Sequence, residues 1–214
     1  MAGTEAILSP AALRATSLTF VAGIADAVGF LTMGGVFAAN MTGNTVLAGI
    51  ALARLDAVQA WHHLAPLAAF FAGAVLSRLL LRLTDSPRAG LLVEAAILAG
   101  VGFLPLGQEV SVVIVAMAMG IQASAITHFA RAAVSTVVVT STLARTADAV
   151  LDGVWRGATD GAPVATNPRL LALTWLGYLV GAVTGGLLLA VFAWPLLVPA
   201  ALLVLLAIRP TSAA

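Results

Sequence analysis

The chain has 214 residues, 61% of them hydrophobic and only 9% charged, with a formal net charge of +1 and a mean hydropathy of +1.08. A soluble domain carries about 25% charged residues, so this balance excludes an ordinary water-soluble globule, and no basic patch with interleaved aromatics points to nucleic acid. The absence of cysteine excludes disulfides, thiolate metal sites and cysteine nucleophiles.

Eight apolar elements are expected in chain order, near 13–33, 36–53, 64–83, 89–106, 110–129, 133–150, 169–192 and 195–208. Most approach the length of about 20 apolar residues that crosses a bilayer. The first follows a weakly basic start with Glu5 and Arg14, so it reads as a retained helix rather than a cleaved signal. It carries Asp26 well past its start, which reads as a site-lining acid or, alternatively, as a protonated or helix-capping Asp near a break at Gly23 or Gly29. An ionised carboxylate in that place costs about 2.5–3.5 kcal/mol on insertion scales, and such acids mark ion or proton paths.

The second element, "VFAANMTGNTVLAGI", is polar in its middle through Asn40, Thr42, Gly43, Asn44 and Thr45. The stretch before the third, with Trp61, His62 and His63, reads as an outer loop, and adjacent histidines without a spaced carboxylate do not make a metal site. In the fourth element Glu94 is expected to snorkel to the interface beside Arg88. The fifth holds Gln122, a pocket amide, and ends in His128 and Arg131, which read either as the far side of the cavity, pairing with Asp26, or, for Arg131 at least equally, as a positive-inside anchor. The sixth repeats the oddity of the second with Ser135, Thr136, Thr140, Ser141 and Thr142. The seventh carries Gly181, Gly185 and Gly186, a small-residue face for close helix packing or for a homodimer. Trp61, Trp155, Trp175, Trp194 and Tyr178 read as interfacial anchors.

Three matches in the same order indicate an internal repeat. "GIADA" at 23–27 answers "GIQASA" at 120–125, "MTGNT" at 41–45 answers "VTSTL" at 139–143, and "GAVLSRLLLR" at 73–82 answers "GAVTGGLLLA" at 181–190. Cytoplasmic loops carry the excess of basic residues. If the second and sixth elements re-enter, six helices span and nearly all the arginines fall on or near one side, with only Arg54 clearly on the other. If all eight span, that bias mostly disappears.

The expected fold is therefore all-α: a polytopic transmembrane bundle of six spanning helices plus two broken or re-entrant polar elements, in two inverted three-helix repeats. Residues 1–12 form a cytoplasmic tail, 13–106 the first repeat, 107–208 the second and 209–214 a C-terminal tail. The loop 152–168 is rich in Gly, Asp, Thr and Pro and holds the insertion that lengthens the second half relative to the first.

The stretch "FVAGIADAVGFLTMGGVFAANMTGNTVLAG" at 20–49 resembles the YoaK-like family of bacterial integral membrane proteins, domain of unknown function 1275. Gly23, Asp26, Ala27, Phe30, Leu31, Gly35, Val36, Phe37, Met41, Thr42, Gly43 and Asn44 carry the likeness, with Gly120, Ile121, Gln122, Thr140, Thr142 and Leu143 in the second half. Ser141 stands where the family pattern has glycine. The resemblance covers nearly the whole chain and implies a six-helix inner-membrane protein, with no substrate attached.

The expected function is a small-solute secondary transporter or permease, coupled to a proton or cation, with both termini cytoplasmic. Its midplane site would use Asp26, Asn40, Thr42, Gly43, Asn44, Thr45, Gln122, His128, Thr140 and Thr142. A channel, or an accessory membrane protein without transport, are the alternatives. No phosphate loop, H-E-x-x-H or G-x-S-x-G motif is present, so neither an enzyme nor a cofactor is expected.

Overall fold

The computed structural model describes residues 10–129 and 168–209 as helices and their connections, with no strand among them. Seven helices are seen there: α1 (Pro10–Thr32), α2 (Met41–Ala53), α3 (Ala57–Thr84), α4 (Pro87–Phe103), α5 (Gln108–Phe129), α6 (Pro168–Val191) and α7 (Leu197–Ile208). The sixth expected element, with Thr140 and Thr142, lies outside the described residues, as does the side chain of His128.

Local chemistry sets the helix ends. Pro10 opens α1 and Pro87 opens α4, where a missing N–H costs nothing. Asp56 caps α3 by accepting from Gln59 N at 3.0 Å. The helix therefore starts at Ala57, and His62 and His63 lie on it rather than in a loop. A polar start misleads a hydropathy reading; the cap decides. Pro66 sits inside this helix. α1 runs unbroken through Gly23 and Gly29, so Asp26 does not cap a helix break, and it stops at Gly34 and Gly35 with φ of +77° and +74°. A Cβ on Gly34 would also collide with the His62 ring.

Four helices are long and apolar enough to cross a membrane: α1, α3, α5 and α6. α4 has 17 residues and α7 has 12, below the usual span of about 20. The expected six full spans are thus not all present as long helices.

Within their most apolar stretches α1 and α5 are 61% and 56% buried, against 17% and 22% for α3 and α6. α1 and α5 therefore form the centre, and α3 and α6 flank them. The outer faces carry exposed Phe71, Val75, Leu79, Val183 and Leu187, which suits lipid contact.

The main pairings are α1 with α6 and α3 with α5. Both are made by glycines at backbone contact. A Cβ on Gly23 would overlap Tyr178 O, and one on Gly181 would overlap Phe20 O. A Cβ on Gly120 would overlap Phe70 O, and one on Gly73 would overlap Met117 O. Small residues permit this approach where no hydrophobic force exists between helices in lipid. Gly177, Gly181 and Gly185 meet Thr16, Phe20 and Ile24 in ascending order, so α1 and α6 run parallel. Gly177, Gly181 and Gly185 of α6 serve this contact within the chain.

Two long-range bonds fix the ends. His62 Nε2 lies 3.1 Å from Gly34 O, which seats the start of α3 beside the end of α1. An Arg14 Nη donates to Arg209 O at 3.0 Å, bringing the start of α1 and the end of α7 together at the opposite end.

Candidate functional site

The site begins where α1 ends. Residues 33–40 are not helical; they double back along α1 until Ala39 and Asn40 stand beside Asp26. Asp26 is six residues before the end of α1, about 9 Å along its axis. The second element therefore becomes helical only at Met41, after an irregular stretch at depth.

That irregular backbone must be satisfied internally, and the motif residues do it. Asp26 Oδ1 accepts from Ala39 N at 2.6 Å and from Asn40 N at 3.2 Å. Its Oδ2 accepts from the Tyr178 hydroxyl of α6 at 2.5 Å. Asn40 caps α2 by accepting from Gly43 N at 3.1 Å. Asn44 grips Phe37 in both directions: Phe37 N donates to Asn44 Oδ1 at 3.0 Å, and Asn44 Nδ2 donates to Phe37 O at 2.7 Å. The Phe37 ring lies against Gly43, where a Cβ would sit 2.8 Å from it, and stacks on Phe30 at 4.8 Å between centroids. So Asn40, Gly43 and Asn44 each answer a local need of the loop.

Electrostatics agree with this geometry. The N–H groups of Ala39 and Asn40, in the lead-in to α2, converge on a carboxylate supplied by another helix. A helix start carries partial positive charge, which favours an anion placed there. Asp26 is 2% exposed and Asn44 is 0% exposed, so these bonds are made away from solvent.

The expected site is only partly assembled. Asp26, Asn40, Gly43 and Asn44 converge. Thr42 and Thr45 are exposed on the outer face of α2, and the Thr45 hydroxyl donates to Met41 O at 2.8 Å. Gln122 is buried elsewhere, with its Nε2 on Leu18 O at 3.0 Å, two turns along α1 from Asp26. Among the described residues the side-chain partner of Asp26 is Tyr178, which is accordingly no interfacial anchor; the side chain of His128 and all of Arg131 lie outside the described residues. Glu94 corrects another expectation: it is 0% exposed and does not reach the interface. The helical phase explains it, because Glu94 shares a face with buried Leu91, Ala95 and Leu98.

Sequence reasoning missed Tyr178 as a site residue. As the lone tyrosine of the chain, three residues before Gly181, it carried a usable signal. A buried carboxylate needs donors, and a glycine contact brings the neighbouring turn within reach.

Among the described residues no group of three His, Asp or Glu side chains is placed to hold a metal ion. A groove lies elsewhere, between α3 and α5, with a volume of about 530 Å³ and Trp61, His62, Glu109 and Val113 on its walls.

The model of the family described as "Protein of unknown function (DUF1275)" matches residues 14–209. The chain belongs to this family. A relative is the UPF0700 transmembrane protein YoaK of Bacillus subtilis (strain 168), 33% identical over 153 residues, which is 64% of this chain and 67% of that protein. No solved structure matches. Together with the four long apolar helices, membership in DUF1275 makes this an integral membrane protein of the YoaK type.

Proposed function

We propose that this DUF1275 protein is a small-solute transporter of the bacterial inner membrane, built from two inverted repeats and not an enzyme. The observation that carries the reading is where α2 begins: beside Asp26, about 9 Å short of the end of α1. Broken helices at corresponding places in two inverted halves are the best pointer to a transporter's central site.

Three further observations support it. The glycine contacts are reciprocal: Gly23 and Gly181 are to α1 and α6 what Gly120 and Gly73 are to α5 and α3. These are the glycines that the internal sequence matches equate. Next, α2 leaves the level of Asp26 and leads into α3, whose start sits beside Gly34 at the end of α1. That is the path of a re-entrant element. Finally, Arg14, Arg82, Arg88 and Arg209 gather toward one end, while Arg54 lies at the other. The positive-inside rule makes the first end cytoplasmic, together with both termini.

In this reading the Asp26–Tyr178 bond joins the halves, and rocking one half against the other opens and closes it. Coupling to a proton or cation belongs to the same proposal. A second reading, an accessory membrane protein without transport, is favoured by one observation: both oxygens of Asp26 are already occupied by protein donors. Cysteine accessibility separates the two readings. Single cysteines at Asn40, Thr42 and Asn44, with Leu55 and Ala162 as topological controls, are exposed to impermeant thiol reagent from each side. Labelling at Asn40 or Asn44 supports a site that opens to water. Silence there, with both controls labelled from opposite sides, supports dry packing.

A further inference from the structure

Glu94 lies seven residues into α4, about 10 Å from its start. It is 0% exposed, and neither of its oxygens has a hydrogen-bond partner. Its own face of α4 carries Leu91, Ala95 and Leu98. α4 packs against α5 and α7, and less against α3. One turn before Glu94, Ile121 and Ala125 of α5 come within 3.5 and 3.8 Å of the space that a Gly90 side chain would take. Next to Ile121, Gln122 is 2% exposed, and its Oε1 is a second buried oxygen without a partner.

From these positions we infer that Glu94 is a proton-binding site of the bundle. Every donor the Asp26 carboxylate has, Glu94 lacks. A carboxylate without donors or a cation is one of the most expensive groups to bury, and a neutral acid is far cheaper. Among the described residues, the groups that could offset a charge are placed elsewhere. Arg88 on α4, and Arg78 and Arg82 on α3, are exposed. His62, His63 and Glu109 belong to the opposite end, near Gly34. α7 contributes no titratable residue, and the side chain of His128 lies outside the described residues. A metal cation is disfavoured too: besides apolar groups, the neighbours named here are one amide and the buried Ser77 hydroxyl, 3.7 Å from the same Gly90 space, with no second carboxylate among them. The proton is thus the ligand that fits. It is held while α4, α5 and α7 stay packed, and is released when water enters between them. This holds whether or not the chain moves a solute.

The test uses the full chain in proteoliposomes and two carbodiimides. Dicyclohexylcarbodiimide is apolar and reaches buried acids. It takes the acid proton on one nitrogen while the carboxyl oxygen adds to its central carbon, and an acyl shift leaves a stable N-acylurea with no group expelled. A water-soluble, cationic carbodiimide serves as the contrast. The expected result, read by peptide mass spectrometry, is an adduct on Glu94 with the apolar reagent and at least a tenfold weaker one with the soluble reagent. Infrared spectra at neutral pH should also show a protonated carboxylic-acid C=O band that Glu94→Gln removes. Equal labelling by both reagents would overturn the proposal, because the site would be open to water. So would the absence of any adduct on Glu94, or of the acid band. Labelling is read on the unmodified sequence, so the outcome stands even if Glu94→Gln fails to fold.

Discussion

Tyr178 donates its hydroxyl hydrogen to Asp26 across the glycine-packed pair of α1 and α6, at 2.5 Å. The bond forms one turn from where Gly23 and Gly181 bring the α1 and α6 backbones together. Close packing and the polar bond therefore depend on each other. Removing the donor leaves Asp26 Oδ2 buried and unpartnered, and hydrogen bonds to charged groups contribute about 1.5–3 kcal/mol. Tyr178→Phe should destabilise the protein by about that amount. Asp26→Ala should cost more, because Ala39 N and Asn40 N lose their acceptor as well. Combining the two should cost clearly less than the sum. Urea unfolding in detergent micelles, followed by tryptophan fluorescence, measures all three; an additive double mutant would show that the pair is not coupled.

The polar motif in the second element divides into two classes, and mutation should expose the division. Asn44→Ala strips both the N–H and the C=O of Phe37 of their partners, at about 1–3 kcal/mol for each buried group left unpaired. Gly43→Ala drives a methyl into the Phe37 ring. Thr42→Ala and Thr45→Ala act on exposed positions and should stay within about 0.5 kcal/mol. Limited proteolysis of the 33–40 stretch gives the readout, with faster cleavage expected only for the first two variants.

Much of this was legible in the sequence. Composition alone gives a membrane-embedded helical protein, and the boundaries of α1, α5 and α6 fall within a few residues of the hydropathy reading. The oddity of the second element was also visible, because amides and hydroxyls stand out against hydrocarbon. What the sequence withheld was direction. Nothing local says that Asn44 turns toward Phe37 while Thr42 and Thr45 turn outward; the irregular path of 33–40 decides it. Glu94 was misread for a related reason. Its distance along the chain suggested the interface, but its angular position beside Leu91, Ala95 and Leu98 buries it. α3 began earlier than hydropathy implied because the Asp56 cap outranks a polar first turn.

The two ends of the bundle should label from opposite sides of the membrane. Leu55 is 92% exposed with φ of 58° in the turn before α3, and Gly107 precedes α5 near the same end. Asp85, with φ of 48°, closes α3 at the other end. Single cysteines at Leu55 and Gly107 should react with impermeant reagent from outside the cell. Those at Asp85 and Arg209 should react only after the inner face is opened. A cysteine at Asp85 that labels together with Leu55 would show that α3 does not cross.

The sharpest stability contrast is expected among glycines of similar helical setting. Replacing glycine by alanine in an exposed helix gains up to about 1 kcal/mol of helix propensity. Nothing lies within 4 Å of a Cβ placed on Gly49 or Gly186, so Gly49→Ala and Gly186→Ala should be neutral or slightly stabilising. At Gly23, Gly73, Gly120 and Gly181 the same methyl meets a backbone carbonyl of the facing helix. Carbonyls in a helix cannot step aside as a side-chain end can, so the helices must separate, and overpacking of this kind costs about 1–3 kcal/mol. The four variants should therefore melt lower than the parent in a detergent thermal ramp, while the two controls do not. The contacts are reciprocal, so Gly23→Ala and Gly181→Ala disturb one interface, and Gly73→Ala and Gly120→Ala the other. Losses should combine additively across the two interfaces and less than additively within either one. Additivity within each pair as well would mean that these glycines act singly, and the matching of the two halves would lose its energetic basis.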